Sequence, residues 1–475
     1  MNTPFWTPDR IVSLTGGRWL LAPECGPTGD LSIRGAKIDT REVGPGDAFF
    51  AFTGATTDGH RFLPQAAEAG AALAVVDREV EPSGTPTLLV NKTLEALVAM
   101  ARAWRGELEG TPLIAVTGSA GKTTACRLLD AALGSVLRGS CSAKSHNNLM
   151  GVSMTLLNCP RSAEYLVCEV GTNARGEIAE LSELARPEIA CITKIGRAHL
   201  EGLGSVGGVA AEKGSIRAGL CERGGLSERG VLFATADSPE LRRVLSGDRR
   251  VRWFGLAQDA EHRIEGVRAH AEGVSFELNG ERFEVPLLGA HNAINGAAAV
   301  LIARELGLDD DQIREGLGRV RPEKMRLQPQ RIGRLRLIND AYNANPDSML
   351  AALEVLDSTE AGGDGSKAAV LGDMLEMGPE GPAMHREVVE RALRVQGLGV
   401  LVLIGPAMAE AAAAVGRGPF AGELLVMPGR GGAEVRRAAE AAADSGLVLL
   451  KGSRGLELER VARCLESRAE SVGAG

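Results

Sequence analysis

The sequence predicts an α/β protein of three domains. At 475 residues the chain is too long for one hydrophobic core and fits two to four domains. Apolar runs typical of buried strands end in glycine turns and alternate with helical patterns, which is the order found in layered α/β folds. Aromatic residues make up only 3% while glycines number 61. This composition favours close packing of helices on sheets over an aromatic surface for stacking bases.

Residues 1–108 are expected to form a small, mixed α/β N-terminal domain. Its strands are expected at 48–52, 72–76 and 87–90, with a helix at about 61–70. Thr40 and Arg41 lie at a polar turn. They could hold a phosphate or a uracil edge, because arginine offers a rigid fork of donors. A solvated turn explains them more simply.

A glycine-bounded loop opens the central domain, which is expected over residues 109–321. The strand at 113–116 ends in Thr117-Gly-Ser-Ala-Gly-Lys-Thr-Thr124, and an apolar helix follows at once. Val116 stands where the commoner G-x-x-x-x-G-K-[ST] spacing has glycine. A glycine turn between a strand and a helix is often only a turn, but the Gly-Lys-Thr-Thr ending favours phosphate binding.

The residue types of this loop suit a phosphate group. Gly118 and Gly121 allow the backbone N–H groups to face inward, and the helix N-terminus and Lys122 add positive charge. Thr123 is placed to hold a magnesium ion through its hydroxyl. The loop therefore predicts a nucleotide site.

Two further strands of the central domain end in polar residues. Glu169 closes the strand at 165–171, and His199 follows the strand at 187–193. Carboxyl ends of parallel strands gather at one edge of a sheet, so both side chains are expected near Lys122. Taken singly, Glu169 could be a surface acid and His199 a satisfied loop histidine. Together above a phosphate loop they predict a magnesium site.

The rest of the central domain gives weaker signals. Lys213 lies on a helix at 205–217, where a lysine is usually solvated. Residues 218–286 read as short strands and turns of a surface ribbon. His291 and Asn292 begin an alanine-rich helix and could contact a nucleotide base, cap the helix, or do both.

Residues 322–475 are expected to form a C-terminal, Rossmann-like open sheet. Its strands are expected at 335–340, 368–371, 400–404 and 447–450. Asn345 is a natural N-cap, so folding alone explains it. Asp340, Tyr342 and Asn343 lie where a strand meets a loop, and Lys451 and Arg454 lie at an edge that suits an anion.

Composition excludes several classes of protein. A net charge of -8 and a pI near 5.6 argue against a general binder of nucleic acid. The eight cysteines are scattered, which indicates reduced thiols in a cytosolic protein. We find neither a signal pattern nor an apolar run of about 20 residues and expect a soluble, cytoplasmic protein without membrane insertion.

Taken together, the motifs resemble those of the Mur ligases over roughly residues 30–462. The resemblance rests on the phosphate loop and on Glu169-Val-Gly-Thr-Asn-Ala-Arg-Gly-Glu-Ile178, Ala198-His-Leu-Glu-Gly202, Gly289-Ala-His-Asn292, Asn339-Asp-Ala-Tyr-Asn-Ala-Asn-Pro-Asp-Ser348, Leu371-Gly-Asp-Met-Leu-Glu-Met-Gly378 and Lys451-Gly-Ser-Arg454. The Tyr-Asn-Ala-Asn-Pro and Gly-Asp-Met-Leu-Glu-Met-Gly segments are similar to the subtype that joins D-alanyl-D-alanine to UDP-N-acetylmuramoyl-tripeptide.

The resemblance implies an ADP-forming amide ligase of peptidoglycan synthesis that uses ATP and Mg²⁺. We expect a monomer, although the sequence does not fix the oligomeric state. ATP would activate the peptide carboxylate as an acyl phosphate, which the dipeptide amine attacks. Lys122 would neutralise the migrating phosphoryl group, and Thr123, Glu169 and His199 would position magnesium. Lys213 matches a lysine that this family carbamylates, which would make it a further metal ligand.

The resemblance also implies three binding regions, divided among a UDP-sugar-binding N-terminal domain, a central ATP-binding domain and the C-terminal domain. ATP would be bound by Gly118, Ser119, Ala120, Gly121, Lys122, Thr123, Thr124, His291, Asn292, Asn295, Arg326 and Asp340. The UDP-sugar and its peptide would meet Thr40, Arg41, Asn147, Asn148, Thr172 and Asn173. The dipeptide and acyl phosphate would meet Tyr342, Asn343, Asn345, Lys451 and Arg454.

The chain departs from the family pattern at a few positions. Ala120 stands where Asn is usual, and Lys194 and Arg197 stand where Asn and Pro are expected before His199. Another Mur-type or folylpolyglutamate-like ligase is the near alternative. A P-loop switch or transport ATPase is a more distant one, and the C-terminal domain with Asp340 argues against it.

Overall fold

Three β-sheets follow one another along the chain and organise the structure. The computed structural model describes residues 5–54, 57–108, 110–143, 146–221, 230–361 and 365–473. Over these ranges the sheets contain five, nine and six strands. The predicted α/β class with three sheet-containing domains is confirmed.

The first sheet is small and mixed, as the sequence predicted. Its strands are β1 (Arg18–Leu21), β2 (Gly35–Lys37), β3 (Asp47–Phe50), β4 (Leu73–Val76) and β5 (Thr87–Leu89). They are arranged in the order β1-β5-β4-β3-β2, with β1 antiparallel to β5 and the other pairs parallel. The helices of this domain are α1 (Pro8–Thr15), α2 (Leu63–Glu68) and α3 (Thr93–Glu107).

The second sheet is the largest. Its strands are β6 (Leu113–Thr117), β7 (Gly139–Cys141), β8 (Tyr165–Glu169), β9 (Ile189–Ile192), β10 (Val231–Thr235), β11 (Val251–Gly255), β12 (His262–His270), β13 (Gly273–Leu278) and β14 (Glu281–Val285). The order is β14-β13-β12-β11-β10-β9-β6-β8-β7, parallel from β7 to β12 and antiparallel beyond. Because β6 lies between β8 and β9, the strand order reverses there, and a crevice is expected at its carboxyl end.

Eight helices accompany the second sheet in the described chain. They are α4 (Lys122–Leu133), α5 (Leu149–Leu157), α6 (Glu177–Ala185), α7 (Leu200–Leu203), α8 (Val206–Gly214), α9 (Pro239–Val244), α10 (Asn292–Glu305) and α11 (Asp310–Gly318). α4 and α10 pack against each other and against the buried strands. Alanine at 293, 297, 298 and 299 is fully or nearly fully buried, which allows this close packing.

The expectation of a surface ribbon over residues 218–286 was only partly right. β12, β13 and β14 form an antiparallel ribbon, but β10 and β11 belong to the main sheet. All five residues of β10 are buried. Residues 222–229, which fall within the same prediction, lie outside the described ranges.

The third sheet is open and mostly parallel, as predicted. Its strands are β15 (Gln328–Ile332), β16 (Leu335–Asp340), β17 (Lys367–Gly372), β18 (Leu398–Ile404), β19 (Glu423–Met427) and β20 (Leu447–Lys451). They are arranged β15-β16-β20-β17-β18-β19, and β15 is antiparallel to β16. The helices are α12 (Pro346–Ser358), α13 (Gly381–Ala392), α14 (Pro406–Val415), α15 (Gly432–Ala442) and α16 (Glu459–Gly473).

A buried ion pair joins the first domain to the second. Arg105 of α3 is 1% exposed and donates to both carboxylate oxygens of Glu188 at 2.8 Å and to the Ala185 carbonyl at 2.7 Å. Removing one partner of such a pair leaves an uncompensated buried charge, so the contact fixes the junction.

No helix in the described part of the chain combines the length and the apolar composition needed to cross a bilayer.

Candidate active site

The phosphate loop is shaped by two glycines whose positions admit no side chain. Gly118 has φ 156° and Gly121 has φ 84°. A Cβ on Gly118 would lie 2.2 Å from Thr193 Oγ1, and one on Gly121 would lie 2.3 Å from Asn295 Oδ1. α4 begins directly afterwards, and no side chain in the described ranges caps it. Its first N–H groups are therefore available to an anion.

The loop that follows β9 holds the phosphate loop from one side. Ser119 N donates to the Lys194 carbonyl at 2.8 Å, and Ser119 Oγ exchanges hydrogen bonds with the backbone of Gly196. Thr193 Oγ1 donates to the Ala120 carbonyl at 2.7 Å. The cradle is thus supported by the neighbouring strand end rather than by its own residues alone.

Lys122 lies folded against the phosphate loop. Its Nζ donates to the Gly118 carbonyl at 2.9 Å. Burial lowers the pKa of Lys122 below the ordinary lysine value, and the carboxylate of Glu169 acts in the opposite direction. The ammonium group is therefore held beside the phosphate loop.

Glu169 connects the phosphate loop to the next strand. It closes β8 and is 1% exposed. Thr123 Oγ1 donates to Glu169 Oε2 at 2.7 Å, and Asn147 Nδ2 donates to Oε1 at 2.8 Å. The predicted proximity of Glu169 and Thr123 is thus observed, with Asn147 beside them.

His199 approaches the same region from the loop after β9. Its Nδ1 lies 2.9 Å from Glu376 Oε2 of the third domain. The pKa of His199 is lowered, first by burial and then by the charges of Lys122 and Lys213. Both lysine charges therefore act on the imidazole of His199.

Lys213 is the most unusual side chain of the site. It is fully buried on α8, and its Nζ has no hydrogen-bond partner within the described chain. Burial and then the charge of Lys122 lower its pKa well below the ordinary value. An isolated buried ammonium is costly, so the solvated lysine that the helix pattern indicated is wrong.

The third domain contributes an ion pair at the facing edge of its own sheet. Asp340 and Lys451 are register partners at the ends of β16 and β20, and Lys451 Nζ donates to Asp340 Oδ2 at 2.6 Å. Lys451 also donates to the Asn343 carbonyl at 3.0 Å. The Arg326 guanidinium lies over the Tyr342 ring, 4.1 Å from its centroid.

Several predicted ligands also have structural roles. Asn345 caps α12 by accepting from Ser348 N at 2.9 Å, and Asn148 caps α5 by accepting from Gly151 N at 2.9 Å. Asn295 Nδ2 donates to Asn292 Oδ1 at 2.9 Å, which orders the start of α10. Folding therefore explains part of what the sequence suggested for these amides.

One cavity of about 850 Å³ brings most of the predicted residues together. The predicted residues that line it are Ser119, Ala120, Gly121, Lys122, Thr123, Thr124, Asn147, Asn148, Glu169, Thr172, Asn173, His199, His291, Asn292, Asn295, Arg326, Asp340, Tyr342, Asn343, Asn345, Lys451 and Arg454. Its walls come from the second and third domains, and Leu94 of α3 contributes from the first.

Four predicted residues do not line this cavity. Gly118 belongs to the phosphate loop but not to the cavity lining, and Lys213 is fully buried on α8. Thr40 and Arg41 lie in a 3₁₀ turn of the first domain, where Arg41 Nε donates to Asp39 Oδ1 at 2.9 Å. The cavity thus includes residues from all three predicted binding regions but does not reach the turn at 40–42.

Sequence reasoning missed Glu376. The Gly372-Asp-Met-Leu-Glu-Met-Gly378 segment was recognised as a motif, but nothing in it indicated that Glu376 would contact His199.

Within the described residues, no group of three or more His, Cys, Asp and Glu side chains is arranged to hold a metal ion. The predicted set differs from such a group because it combines Thr123 and a modified lysine with Glu169 and His199.

Three family models match successive parts of the chain. They are described as the Mur ligase family catalytic domain at residues 32–105, the Mur ligase middle domain at 116–303 and the Mur ligase glutamate ligase domain at 325–454. The chain belongs to the Mur ligase family.

Individual Mur ligases resemble the chain over nearly its whole length. The UDP-N-acetylmuramoyl-tripeptide--D-alanyl-D-alanine ligase of Bacillus subtilis is 35% identical, over 91% of this chain and 93% of its own. The crystal structure of MurF from Acinetobacter baumannii has a TM-score of 0.81 and 28% identity, covering 97% of this chain and 99% of that one. MurF ligase from Thermotoga maritima in complex with ADP has a TM-score of 0.76 and 25% identity, covering 93% and 99%.

Proposed function

We propose that the protein is an ATP-dependent ligase that joins D-alanyl-D-alanine to the tripeptide of UDP-N-acetylmuramoyl-tripeptide, with release of ADP and phosphate. The observation that carries the proposal is the cavity of about 850 Å³ in which the phosphate loop of the second domain faces the Asp340–Lys451 edge of the third. The ligase relatives are matched over more than nine-tenths of the chain, which supports the same assignment. The product is the pentapeptide precursor of peptidoglycan.

The reaction has two steps at this cavity. A carboxylate oxygen of the tripeptide attacks the γ-phosphorus of ATP. The bond between the γ-phosphorus and the oxygen of the β-phosphate breaks, ADP departs, and the tripeptide now carries an acyl phosphate. The dipeptide amine then attacks the acyl carbon, loses a proton, and expels inorganic phosphate from the tetrahedral intermediate. Lys122 is placed to offset the charge that moves with the phosphoryl group.

The residues around Glu169 fit a divalent cation. Thr123 and Glu169 present oxygen atoms 2.7 Å apart, and His199 keeps Nε2 for a ligand because its Nδ1 faces Glu376. The orphaned Nζ of Lys213 supports carbamylation, which would replace a buried ammonium with a carboxylate-like group. Mg²⁺ held by these four residues would supply charge stabilisation of the phosphates.

The substrates are proposed to divide among the domains. Residues 1–108, with Thr40 and Arg41, would hold the UDP-sugar, and Asn147, Asn148, Thr172 and Asn173 would guide its peptide into the cavity. Residues 109–321 would bind ATP, with His291, Asn292 and Asn295 beside the base. Arg326 and Asp340 would reach the nucleotide from residues 322–475, and Tyr342, Asn343, Asn345, Lys451 and Arg454 would meet the dipeptide and the acyl phosphate.

The cellular setting is proposed to be the cytoplasm, where ATP is available, and the active form a monomer. None of the eight cysteines, all of which lie in the described ranges, forms a disulfide, which suits a reducing compartment. Burial raises the pKa of the Cys191 thiol to about 12, so this thiol stays protonated and inert.

One assay tests the proposed function. ADP release is measured with UDP-N-acetylmuramoyl-tripeptide alone, with D-alanyl-D-alanine alone and with both, while the amide product is followed in the same sample. We expect sustained ADP release and product only with both substrates. Equal ADP release without either substrate would identify an ATPase, and product formation with a single amino acid would identify a different ligase of the family.

A further inference from the structure

Arg197 of the second domain forms ion pairs with two carboxylates of the third domain. It lies two residues before His199 in the loop after β9. Its backbone N donates to Asp347 Oδ2 at 2.8 Å, and its Nε and Nη2 donate to Asp347 Oδ1 at 3.1 and 3.0 Å. Its Nη1 and Nη2 donate to the two carboxylate oxygens of Glu387 at 2.5 and 3.3 Å. One guanidinium therefore holds two carboxylates of α12 and α13.

The contact is close because residue 196 is glycine. A Cβ on Gly196 would lie 2.2 Å from Asp347 Oδ2. Asp347 lies in the first turn of α12, where the helix dipole already favours a negative charge. The Asp347 carboxylate thus stabilises the N-terminus of α12 and also binds Arg197 of the second domain.

The same segment supports the phosphate loop on its other side. Gly196 N donates to Ser119 Oγ at 3.0 Å, and Ser119 Oγ lies 3.2 Å from the Gly196 carbonyl. A continuous path of hydrogen bonds therefore runs from Asp347 through residues 196 and 197 to Ser119. The two side chains of the ion pair are 27% and 20% exposed, so water screens their attraction only in part.

We infer that Arg197 is a positioning residue that fastens the third domain to the loop supporting the phosphate cradle. The kinetic consequence rests on the proposed function, whereas the geometry of the contact does not. When the contact is lost, the third domain closes less well over the acyl phosphate, and water cleaves it to carboxylate and phosphate, so ATP is consumed without an amide bond.

The kinetic test compares Arg197→Ala, Arg197→Lys and Asp347→Asn with Arg391→Ala. Arg391 is a matched control, because its ion pair with Asp357 has side chains that are 27% and 26% exposed but lies wholly within the third domain. We expect Arg197→Ala to lower kcat for amide formation about tenfold, to raise the KM for the dipeptide and to release more than one ADP per amide bond. Arg197→Lys should recover part of this loss. The KM for the UDP-sugar peptide should be unchanged in every variant.

A double-mutant cycle and a measurement without turnover complete the test. The effects of Arg197→Ala and Asp347→Asn should be less than additive, because both break one contact. By small-angle X-ray scattering with a non-hydrolysable ATP analogue, Arg197→Ala should have a larger radius of gyration than the wild type and Arg391→Ala should not. Circular dichroism and the thermal midpoint identify any variant that fails to fold.

The inference is overturned if Arg197→Ala matches Arg391→Ala in kcat, KM, ADP-to-amide ratio and radius of gyration, or if the two substitutions are additive. If the wild type makes no amide from the two substrates, the proposed function fails instead. The scattering comparison then still decides whether Arg197 holds the domains together.

Discussion

His199 and Glu376 meet across the junction of the second and third domains, and both have left-handed backbone conformations. His199 has φ 55° and Glu376 has φ 63°, and His199 Nδ1 lies 2.9 Å from Glu376 Oε2. Such conformations cost about 1 kcal/mol or more per residue and persist where the surrounding structure enforces them. The histidine of the second domain therefore receives its orientation from a carboxylate of the third.

Glu376→Ala is expected to lower activity through His199. Loss of the partner frees the imidazole to rotate. Because His199 is a proposed magnesium ligand, we expect the cost of about 10- to 100-fold that follows removal of such partners from metal-binding histidines. Glu376→Gln keeps an acceptor for Nδ1–H and should retain more of the activity. Steady-state kcat measurements on both variants check this, with Glu380→Ala, an exposed neighbour, as the control. Equal kcat for Glu376→Ala and Glu380→Ala would contradict it.

Lys213→Ala is expected to abolish ligation and to be partly rescued by formate or acetate. A short carboxylate can enter the space left by the proposed carbamate and restore its oxygens. Lys122→Ala, which removes a needed positive charge, should not be rescued and serves as the control. Carbon-13 NMR after incubation with labelled bicarbonate should show a carbamate signal in the wild type that Lys213→Ala lacks. A fully active Lys213→Ala variant would remove the residue from the site.

Gly121→Ala is expected to weaken binding of an ATP analogue strongly. The new methyl group would lie 2.3 Å from Asn295 Oδ1, and the residue would keep a φ of 84°. Gly247 has φ 79° with open space around it, so Gly247→Ala adds only backbone strain of about 1 kcal/mol. Calorimetric titration should show near-normal affinity for Gly247→Ala and at least a tenfold loss for Gly121→Ala. Similar affinities for the two variants would show that the cradle tolerates a side chain.

Acidification is expected to destabilise the protein through His291. Burial lowers the pKa of His291 to about 4, whereas the ordinary value is about 6.5. Between these pH values the unfolded chain binds more protons than the native one, so the unfolding free energy falls as the pH falls. The contribution is at most about 3 kcal/mol.

Urea denaturation at several pH values checks this effect. His291→Gln removes the titrating group, and its unfolding free energy should depend less on pH across this window than that of the wild type. The expectation fails if the two proteins show the same pH dependence.

The sequence predicted β6, β16 and β20 well because most of their residues are buried. β16 was predicted at its observed bounds, and β6 and β20 within one residue. β10 was missed as a core strand, although all five of its residues are buried. Its apolar run spans only five residues and is followed by a segment rich in charged residues, a pattern that favoured a surface ribbon.

Prediction of the site succeeded where one segment carries the chemistry and failed where two distant segments meet. The phosphate loop could be read directly, because its glycines and lysine are adjacent in sequence. Glu376 and Arg197 could not, because their partners are 177 and 150 residues away. Asp347 suits the first turn of α12 because of the helix dipole, but that local explanation leaves out its contact with Arg197.

The most direct test of the ligase mechanism follows oxygen from substrate to phosphate. The tripeptide is prepared with ¹⁸O in its terminal carboxylate and converted with ATP and D-alanyl-D-alanine, and the inorganic phosphate is analysed by mass spectrometry. If the carboxylate is activated as an acyl phosphate, each phosphate released with an amide bond carries one ¹⁸O from the peptide. Phosphate that contains no ¹⁸O while amide product accumulates would contradict the mechanism.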